Sequence, residues 1–296
     1  MKKFLKNILM MMLSMIAVIT VLQLYTESKV QSEYYISIDG NVNKLFLGHS
    51  HSECAFNDSI IPNSVNFSNS GDAYMYSYYK LKLILERKNN IDTVFIQFSN
   101  NQIESFMTEW TFGNLYMDSK FPNFRSLMNG NTKGTVFLQN PFSYIQSIPV
   151  NFKKNSNHIL KGNYDITERF GAFKGLEFSK TDSILKAWNV QVPEEESELW
   201  TNDISEINLL FLDNIISICK LYHKTVILVR TPFHKEHLGF QIEEKFQKIR
   251  NTRYKNEVFF DFSKFKMENK EFGDLDHLNA LGAKRFSKHF VNYLSK

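Results

Sequence analysis

The amino-acid sequence predicts an α/β domain, a parallel sheet covered by helices on both faces, behind one amino-terminal membrane helix. Short apolar runs of strand composition alternate with amphipathic helical patterns, an order typical of parallel sheets. An uncharged run of 17 residues near the amino terminus is almost long enough to span the hydrocarbon of a bilayer without tilt. The composition, 43% hydrophobic and 22% charged residues, is that of a globular chain with a substantial core.

The first predicted element is the membrane helix, from about Ile8 to Leu24. Three lysines precede it and Glu27 follows it. Because basic residues tend to stay in the cytoplasm, this arrangement favours a cytoplasmic amino terminus with the remaining chain across the membrane, in the periplasm or at the cell surface. A cleaved signal peptide and a buried core helix are the alternatives, but the run is longer than most signal-peptide cores and no clear cleavage site follows it. We expect residues 1–33 to form a cytoplasmic tip, an anchor and a stalk, and residues 34–296 to form the exported domain.

Five predicted strands and four predicted helices alternate along the exported part, enough for a doubly wound domain. In the last helix, Phe286, Phe290 and Leu294 recur every four residues, which indicates an amphipathic surface helix, and Asn279 is its predicted N-cap. The predicted strands are Lys44–Leu47, Val65–Phe67, Thr93–Phe98, Thr225–Arg230 and Glu257–Phe262. The predicted helices are Ala73–Lys88, Ile204–Tyr222, Gln241–Asn251 and Ala280–Leu294.

Residues 102–200, between the third and fourth strands, interrupt this alternation. They contain six glycines, scattered aromatic residues and the acidic cluster Glu194–Glu196. A long interruption of this kind either shapes a pocket or adds helices at the sheet edge, and both readings stay open. The aromatic residues that would stack on sugar rings, if they are not core, include Trp110, Phe112, Tyr116, Phe121 and Trp188.

Charge and cysteine usage exclude several classes of function. Thirty-five Lys and Arg residues against 31 Asp and Glu give a net charge of +4, spread along the chain and too mild for a nucleic-acid-binding surface. Cys54 and Cys219 form neither a disulfide framework nor the paired spacing of a zinc or redox motif. Both lie in stretches of helical pattern, so we expect buried free thiols, with a single bridge as the alternative.

Three polar clusters lie where predicted strands end, and ligands of open parallel sheets bind outside the carboxyl ends of strands. Ser50 follows Gly48 at a strand-to-helix turn, Gly71 ends the segment after the second strand, and His277 follows Asp274 by three residues. An acyl-transfer site needs a hydroxyl nucleophile, a base, an acid that orients the base, and donors for the oxyanion. These residue types supply all four.

The same blocks resemble those of the SGNH (GDSL-like) hydrolase superfamily: Gly48-His49-Ser50, Gly71, Asn100 and Asp274-x-x-His277. The longer segments GHSHSECAFND, NFSNSGDAYMYSYYKL and DHLNALGAKRFSKHF are similar to membrane-anchored bacterial members related to cell-surface polysaccharide O-acetylation proteins. The resemblance covers about residues 44–98 and 226–296 and excludes the interruption at 102–200.

The resemblance implies a three-layer α/β/α sandwich with a flavodoxin-like, five-stranded parallel sheet. It also implies Ser50 as nucleophile, His277 as base and Asp274 as the acid that orients it. The implied oxyanion donors are the N–H groups of Ser50 and Gly71 and the side chain of Asn100. Two positions depart from the family pattern: His49 replaces the usual Asp, and Phe98-Ser99-Asn100 replaces Gly-x-Asn, with Asn101 as a second candidate.

We therefore expect a membrane-anchored serine esterase or O-acyltransferase that acts, through an acyl-serine, on acyl esters of cell-envelope or extracellular glycans. Acetyl is the expected acyl group, a membrane protein that donates it is the candidate partner, and no cofactor, metal or nucleic acid is predicted. One alternative is a non-catalytic glycan-binding or assembly protein. The other is a metal-dependent hydrolase that uses His49 and His51, with further ligands from Asp274, Asp276 and His277 or from His234 and His237.

Overall fold

The structure is a computed structural model that describes residues 1–87, 90–188, 203–236 and 242–295. Several residues named above lie outside the described part. They are the acidic cluster Glu194–Glu196, His237, the end residues Lys88 and Gln241 of two predicted helices, and the side chain of Trp188.

A five-stranded, all-parallel sheet lies at the centre of the fold. Its strand order is β2-β1-β3-β4-β5, the flavodoxin-like order, and this confirms the predicted fold class. The order reverses between β1 and β3, so a crevice is expected at the carboxyl ends of these two strands. The strands are β1 (Lys44–Leu47), β2 (Ser64–Asn66), β3 (Thr93–Gln97), β4 (Thr225–Arg230) and β5 (Val258–Asp261).

Helices connect the strands, and the four helices predicted from the sequence are present with ends shifted by at most two residues where both ends are described. In chain order the helices are α1 (Lys2–Glu33), α2 (Ser50–Ala55), α3 (Tyr74–Glu86), α4 (Asn100–Ile103), α5 (Phe106–Phe112), α6 (Asn114–Phe124), α7 (Gly130–Gln139), α8 (Pro141–Lys161), α9 (Thr181–Trp188), α10 (Glu206–Leu221), α11 (Glu243–Thr252) and α12 (Ala280–Leu294).

An aromatic cluster fixes α2 and α12 against the sheet. The Phe46 ring stacks on those of Phe56 and Phe95, with centroids 4.3 and 4.8 Å apart, and Phe290 meets Phe56 edge to face at 5.1 Å. Ser287 adds a hydrogen bond from its hydroxyl to the carbonyl of Ala55, 3.2 Å away. This packing matters for the site because the first residue of α2 and the loop before α12 carry the candidate catalytic groups.

The chain divides into two compact units. Unit 2, residues 36–113 and 167–296, contains the sheet and all of the predicted site residues that are described. Unit 1, residues 1–35 and 114–166, is helical and consists of α1 with α6, α7 and α8. The middle of the predicted interruption therefore belongs to the same unit as the amino-terminal helix.

Within the described residues, α1 is the one helix that is long and apolar enough to cross a membrane. It runs unbroken through the predicted anchor and the predicted stalk. Gln23, Glu27 and Val30 near its carboxyl end are buried in unit 1, whereas the apolar side chains between Leu5 and Leu22 are largely exposed.

Cys54 and Cys219 are free and buried, as predicted. Burial raises the pKa of both thiols to about 12, so they remain protonated and poorly reactive near neutral pH.

Candidate active site

The sharp turn between β1 and α2 presents Ser50 as the first residue of a helix. The backbone at Gly48 packs so closely against β3 that only glycine fits, because a Cβ on Gly48 would lie 2.6 Å from the Cβ and the Oε1 of Gln97. Ser50 itself is half-buried and accessible, while the rest of α2 is buried. A tight glycine turn therefore sets the position of this hydroxyl.

Ser50, His277 and Asp274 form one hydrogen-bonded set, although 227 residues separate Ser50 from His277. The Ser50 Oγ lies 2.7 Å from the Nε2 of His277. The Nδ1 of His277 lies 2.9 Å from both carboxylate oxygens of Asp274. A carboxylate can only accept, so Nδ1 carries the proton and the lone pair of Nε2 faces the hydroxyl. This is the arrangement in which an imidazole removes a proton from serine.

The charges of the site favour an ionised Asp274 and a basic His277. Burial raises the pKa of Asp274. The hydrogen bonds from His277 and from backbone N–H groups lower it by more than burial raises it, so the pKa lies below its ordinary value. Burial lowers the pKa of His277, but the hydrogen bond and charge of Asp274 outweigh it, with smaller contributions from Asp276 and Glu53. The pKa of His277 is therefore raised above 6.5.

The loop that carries Gly71 is tied to α2 by side chains. The Ser68 hydroxyl donates to the Ser52 hydroxyl at 2.8 Å, and the Ser70 hydroxyl donates to the Glu53 carboxylate one turn after Ser50. Gly71 has a φ of 76°, a left-handed conformation that favours glycine. Glu53 was not identified from the sequence, where it is one acidic residue in a short helical stretch.

Asn100, a predicted oxyanion donor, lies in a separate buried cluster around Arg230. Its Nδ2 donates to Glu243 at 2.8 Å, and its Oδ1 accepts from Arg230 at 2.9 Å. Arg230, the last residue of β4, also bonds Asp261 and Ser263. The Asn100 side chain is thus engaged away from Ser50 in this structure, and its oxyanion role stays a prediction.

Asn101, the second candidate, lies nearer to the hydrogen-bonded set. Its Nδ2 is 3.3 Å from the Nε2 of His51, and the His51 ring meets the His277 ring edge to face with centroids 5.1 Å apart. Its Oδ1 accepts from the Ser99 hydroxyl at 2.6 Å.

Gln97 is a site residue that sequence reasoning missed. It is buried at the end of β3, its Oε1 accepts the backbone N–H groups of His49 and Ser52 at 3.1 and 3.0 Å, and its Nε2 lies 2.9 Å from the Nε2 of His49. The Nδ1 of His49 in turn lies 3.2 Å from the Ser50 Oγ. The available signal was a polar residue at the end of an otherwise apolar strand run.

His49, His234 and His277, which belong to the metal alternative, have other partners. Both ring nitrogens of His49 contact side chains, Gln97 on one side and Ser50 on the other. Asp274, Asp276 and His277 do place ligand atoms within 4.8 Å of one another, but both His277 nitrogens already bond within the set. A metal ion here would have to displace one of these bonds. His234 bonds Asn269 instead, at 3.0 Å.

Aromatic side chains flank the histidines next to Ser50. The Trp110 ring lies 5.8 Å from that of His49, and the Phe233 ring lies 5.1 Å from that of His51. Of the aromatic residues named from the sequence whose side chains are described, Trp110 contacts this part of unit 2. Phe112 and Phe121 are buried, and Tyr116 and Phe121 belong to unit 1.

Comparisons with known proteins add little. No family model and no curated protein matches the chain. One solved structure, of a Streptococcus pneumonia protein provisionally named a platelet activating factor, is similar to this chain. The two are 15% identical, the alignment covers 96% of this chain and 98% of that chain, and the TM-score is 0.42. A likeness at this level carries no argument about activity.

Proposed function

We propose that the protein is a membrane-anchored, SGNH-type serine esterase or O-acyltransferase that acts on acyl esters of an envelope or extracellular glycan. The observation that carries the proposal is the hydrogen-bonded set of Ser50, His277 and Asp274 at the carboxyl edge of the sheet. Its support from sequence is the ordered series of blocks in which these residues occur.

In the proposed reaction, the Ser50 Oγ attacks the ester carbonyl while its proton passes to the Nε2 of His277. The intermediate then expels the alcohol, which takes that proton, and an acyl-serine remains. Asp274 holds the imidazole in the required tautomer and stabilises the imidazolium. The proposed donors to the oxyanion are the N–H groups of Ser50 and Gly71, with an amide of the Asn100–Asn101 segment.

Esterase and transferase chemistry share this acyl-serine and differ in what attacks it next. Water gives hydrolysis and a sugar hydroxyl gives transfer, and the outcome depends on how the pocket excludes water and orients the acceptor. Trp110 and Phe233 beside the histidines supply apolar surface for that purpose. Acetyl as the acyl group, a glycan as the acceptor and a membrane acyl donor as partner belong to the proposal through the resemblance.

The test is covalent labelling of the full chain with a fluorophosphonate, followed by peptide mass spectrometry. The Ser50 Oγ forms the bond to phosphorus, fluoride leaves, and the proton goes to His277. We expect one adduct, on Ser50, absent from Ser50→Ala and unchanged in Ser59→Ala, an exposed serine beyond α2. A wild-type chain that gives no adduct, while a control serine esterase is labelled, would contradict the proposal and favour a glycan-binding protein.

A further inference from the structure

The orientation of the Gln97 side chain determines which nitrogen of His49 carries a proton. Two backbone N–H groups, of His49 and Ser52, point at one terminal atom of Gln97, so that atom is the carbonyl oxygen. The other terminal atom is then the amide nitrogen, which is a donor only. It faces the Nε2 of His49 at 2.9 Å, so this nitrogen must accept.

A neutral imidazole that accepts at Nε2 carries its proton on Nδ1. The Nδ1 of His49 lies 3.2 Å from the Ser50 Oγ, within reach of a hydrogen bond. The backbone N–H of His51 also points at Nδ1, at the longer distance of 3.4 Å, and a hydrogen bond there would require the opposite tautomer. That tautomer would place two donors against each other across the shorter 2.9 Å contact between Gln97 and the Nε2 of His49, so we assign the proton to Nδ1.

The donors then run in one direction through the site. Gln97 donates to His49, His49 to Ser50, Ser50 to His277, and His277 to Asp274. Hydrogen bonds in such a chain polarise and strengthen one another. The Ser50 Oγ accepts one hydrogen bond while it donates another.

We propose that His49 is a further catalytic residue, which donates from Nδ1 to the Ser50 Oγ and assists its departure from the acyl-enzyme. The inference rests on the proposed acyl-serine function. In deacylation, the acceptor O–H adds to the acyl carbon and gives its proton to His277. The bond from the acyl carbon to Oγ then breaks, its electron pair goes to Oγ, and the proton returns from His277 to Oγ. The His49 N–H stabilises the negative charge that develops on Oγ.

Two substitutions separate a donor role from a packing role. In His49→Asn the amide nitrogen can occupy the place of Nδ1, whereas in His49→Gln the amide lies at the place of Nε2. With p-nitrophenyl acetate as the probe and mass spectrometry of the acetyl adduct on Ser50, we expect the adduct of His49→Gln to disappear about tenfold more slowly than that of the wild type, a loss typical of one hydrogen bond. The adduct of His49→Asn should disappear within about threefold of the wild-type rate.

Equal effects of the two substitutions, or no effect of either, would overturn the proposal. A wild-type chain that never forms the adduct would instead contradict the proposed acyl-serine function. Nitrogen NMR of ¹⁵N-histidine in the full chain tests the tautomer independently of turnover. We expect the proton of His49 on Nδ1, and a ring protonated on Nε2 alone would overturn the inference.

A second, independent inference concerns unit 1, where α8 of the α7–α8 hairpin buries polar side chains, although α7 buries Val136. The buried positions of α8 are Ser143, Ser147, Asn151 and Asn155, one per turn. Helices of water-soluble domains show the reverse distribution. Helices that pack within lipid use small and polar residues at their contacts in this way. The exposed apolar side chains near the hairpin tip are Phe137, Leu138, Phe142 and Ile145.

Contacts within unit 1 orient the hairpin relative to α1. Gln23 bonds Asn151 at 2.9 Å, and Tyr34, just beyond α1, bonds Asn155 at 3.0 Å. The pairs advance in the same direction along both helices, so the amino end of α8 points toward the apolar part of α1. The hairpin tip therefore lies on the membrane side of Gln23.

The uncharged stretch of α1 and the uncharged stretch of the hairpin end at charged residues that lie close together. No charged residue occurs between Lys6 and Glu27 on α1, or between Lys133 and Lys153 across the hairpin tip. Lys133 bonds Glu27 at 2.6 Å, which joins the two borders. Lysines at such a border place their charge in the headgroup region while their stems cover apolar surface.

We propose that the hairpin tip, residues 137–145, inserts its exposed apolar side chains into the bilayer leaflet nearest the exported domain, beside α1. The neighbouring helix α6 carries Asp118 and Lys120, which confines the lipid contact to the α7–α8 face. Unit 1 would then hold the protein to the membrane by one spanning helix and one shallow hairpin.

Lipid quenching tests this contact in the full chain, reconstituted in phosphatidylcholine vesicles with brominated acyl chains. Because both native cysteines are buried, single labels can be placed through Leu138→Cys and, as the matched control, Leu160→Cys at the other end of α8. The two leucines are 81% and 83% exposed. We expect strong quenching at position 138 and little at 160. Equal quenching would overturn the proposal, as would a label at 138 that is shielded from water but unquenched, which indicates a protein partner.

Discussion

Both carboxylate oxygens of Asp274 lie within hydrogen-bond distance of the Nδ1 of His277, and the pH dependence of catalysis should follow from this contact. The base acts only when neutral, and the pKa of His277 is raised above 6.5, so the rate should increase with pH through a midpoint above that value. Asp274→Asn removes the charge that raises this pKa, so the midpoint should move to lower pH. The rate should also fall by about 10⁴-fold, the cost of the equivalent change in serine proteases.

The measurement is the pH–rate profile of each full chain with an activated ester. Asp276→Asn is the control, because Asp276 is exposed and raises the pKa of His277 through its charge alone. We expect a small downward shift of the midpoint and a rate within a few-fold of wild type. A larger loss at Asp276 than at Asp274 would show that the orienting acid is misassigned.

Glu104, between α4 and α5, is a second residue whose protonation should be measurable. It is 1% exposed, and within the described part of the chain neither carboxylate oxygen has a hydrogen-bond partner. Burial raises its pKa from 4.5 to about 8. The folded protein therefore keeps a proton that the unfolded chain releases, and stability should fall as pH rises from 4.5 to about 8. The full loss is on the order of 5 kcal/mol.

Glu104→Gln removes this titration, so the variant should become more stable relative to wild type as pH rises from 5 to 9. Chemical denaturation of the full chain at several pH values measures the difference. Glu109→Gln, on the exposed face of α5, controls for the loss of one negative charge. A stability difference between Glu104→Gln and wild type that is constant with pH would contradict the prediction.

At the scale of elements, Lys80 connects α3 to the loop that carries Gly71. Its ammonium group is fully buried, pairs with Asp72 and donates to the carbonyls of Phe67 and Phe170. Lys80→Met would leave the Asp72 carboxylate buried without its cation. We expect a loss of about 3–5 kcal/mol in the free energy of unfolding, the usual cost of breaking a buried pair from one side.

Denaturant unfolding of the full chain measures this loss, and Lys82→Met in the same helix is the matched control. Among the described residues, Lys82 pairs with Glu86 one turn away, and its side chain is 33% exposed. The control should cost under about 1 kcal/mol, as surface pairs do. Equal losses in the two variants would mean that the Lys80 network contributes no more than a surface ion pair.

The elements of unit 2 were largely predictable because their burial follows simple periods. The predicted bounds of β1, β4 and α12 coincide with those observed, since apolar side chains fill both faces of the strands and one face of the helix. Ser50, Asp274 and His277 could be selected as candidates from the sequence because Ser50 lies at a strand-to-helix turn and the other two precede a helix. The position of the Asn100 side chain could not be predicted, because its amide bonds Glu243 and Arg230, and contacts between residues so far apart in sequence leave no local pattern.

Unit 1 escaped prediction for a different reason. The rule that apolar residues face inward fails for α8, whose buried side chains are serines and asparagines. Read with that rule, residues 114–166 have no clear period, and the sequence offered only an interruption. Gln97 and Glu53 were missed in the same way, since each acts through partners distant in sequence or across a loop.

At the scale of the whole molecule, α1 is the helix on which the proposed membrane anchoring depends. Its carboxyl end is part of unit 1: Glu27 bonds Arg125 at 2.7 Å and Lys133 at 2.6 Å, and Gln23 bonds Asn151. Removing Glu27 would leave the buried guanidinium of Arg125 without its carboxylate. Glu27→Ala should therefore cost about 3–5 kcal/mol in stability, while Glu33→Ala, an exposed carboxylate paired with Lys29, should cost under about 1 kcal/mol.

These contacts argue that α1 is retained, because cleavage after the apolar run would separate Gln23 from a network that unit 1 has buried. A signal peptide makes no such contacts in the mature protein, whereas an anchor that continues into the fold packs against the other helices of unit 1. We expect the chain purified from membranes to keep its amino-terminal residues, measured by intact mass, and to resist extraction at alkaline pH as a spanning protein does. A mature amino terminus at or beyond Tyr25 would contradict this, and would leave the α7–α8 hairpin as the remaining lipid contact.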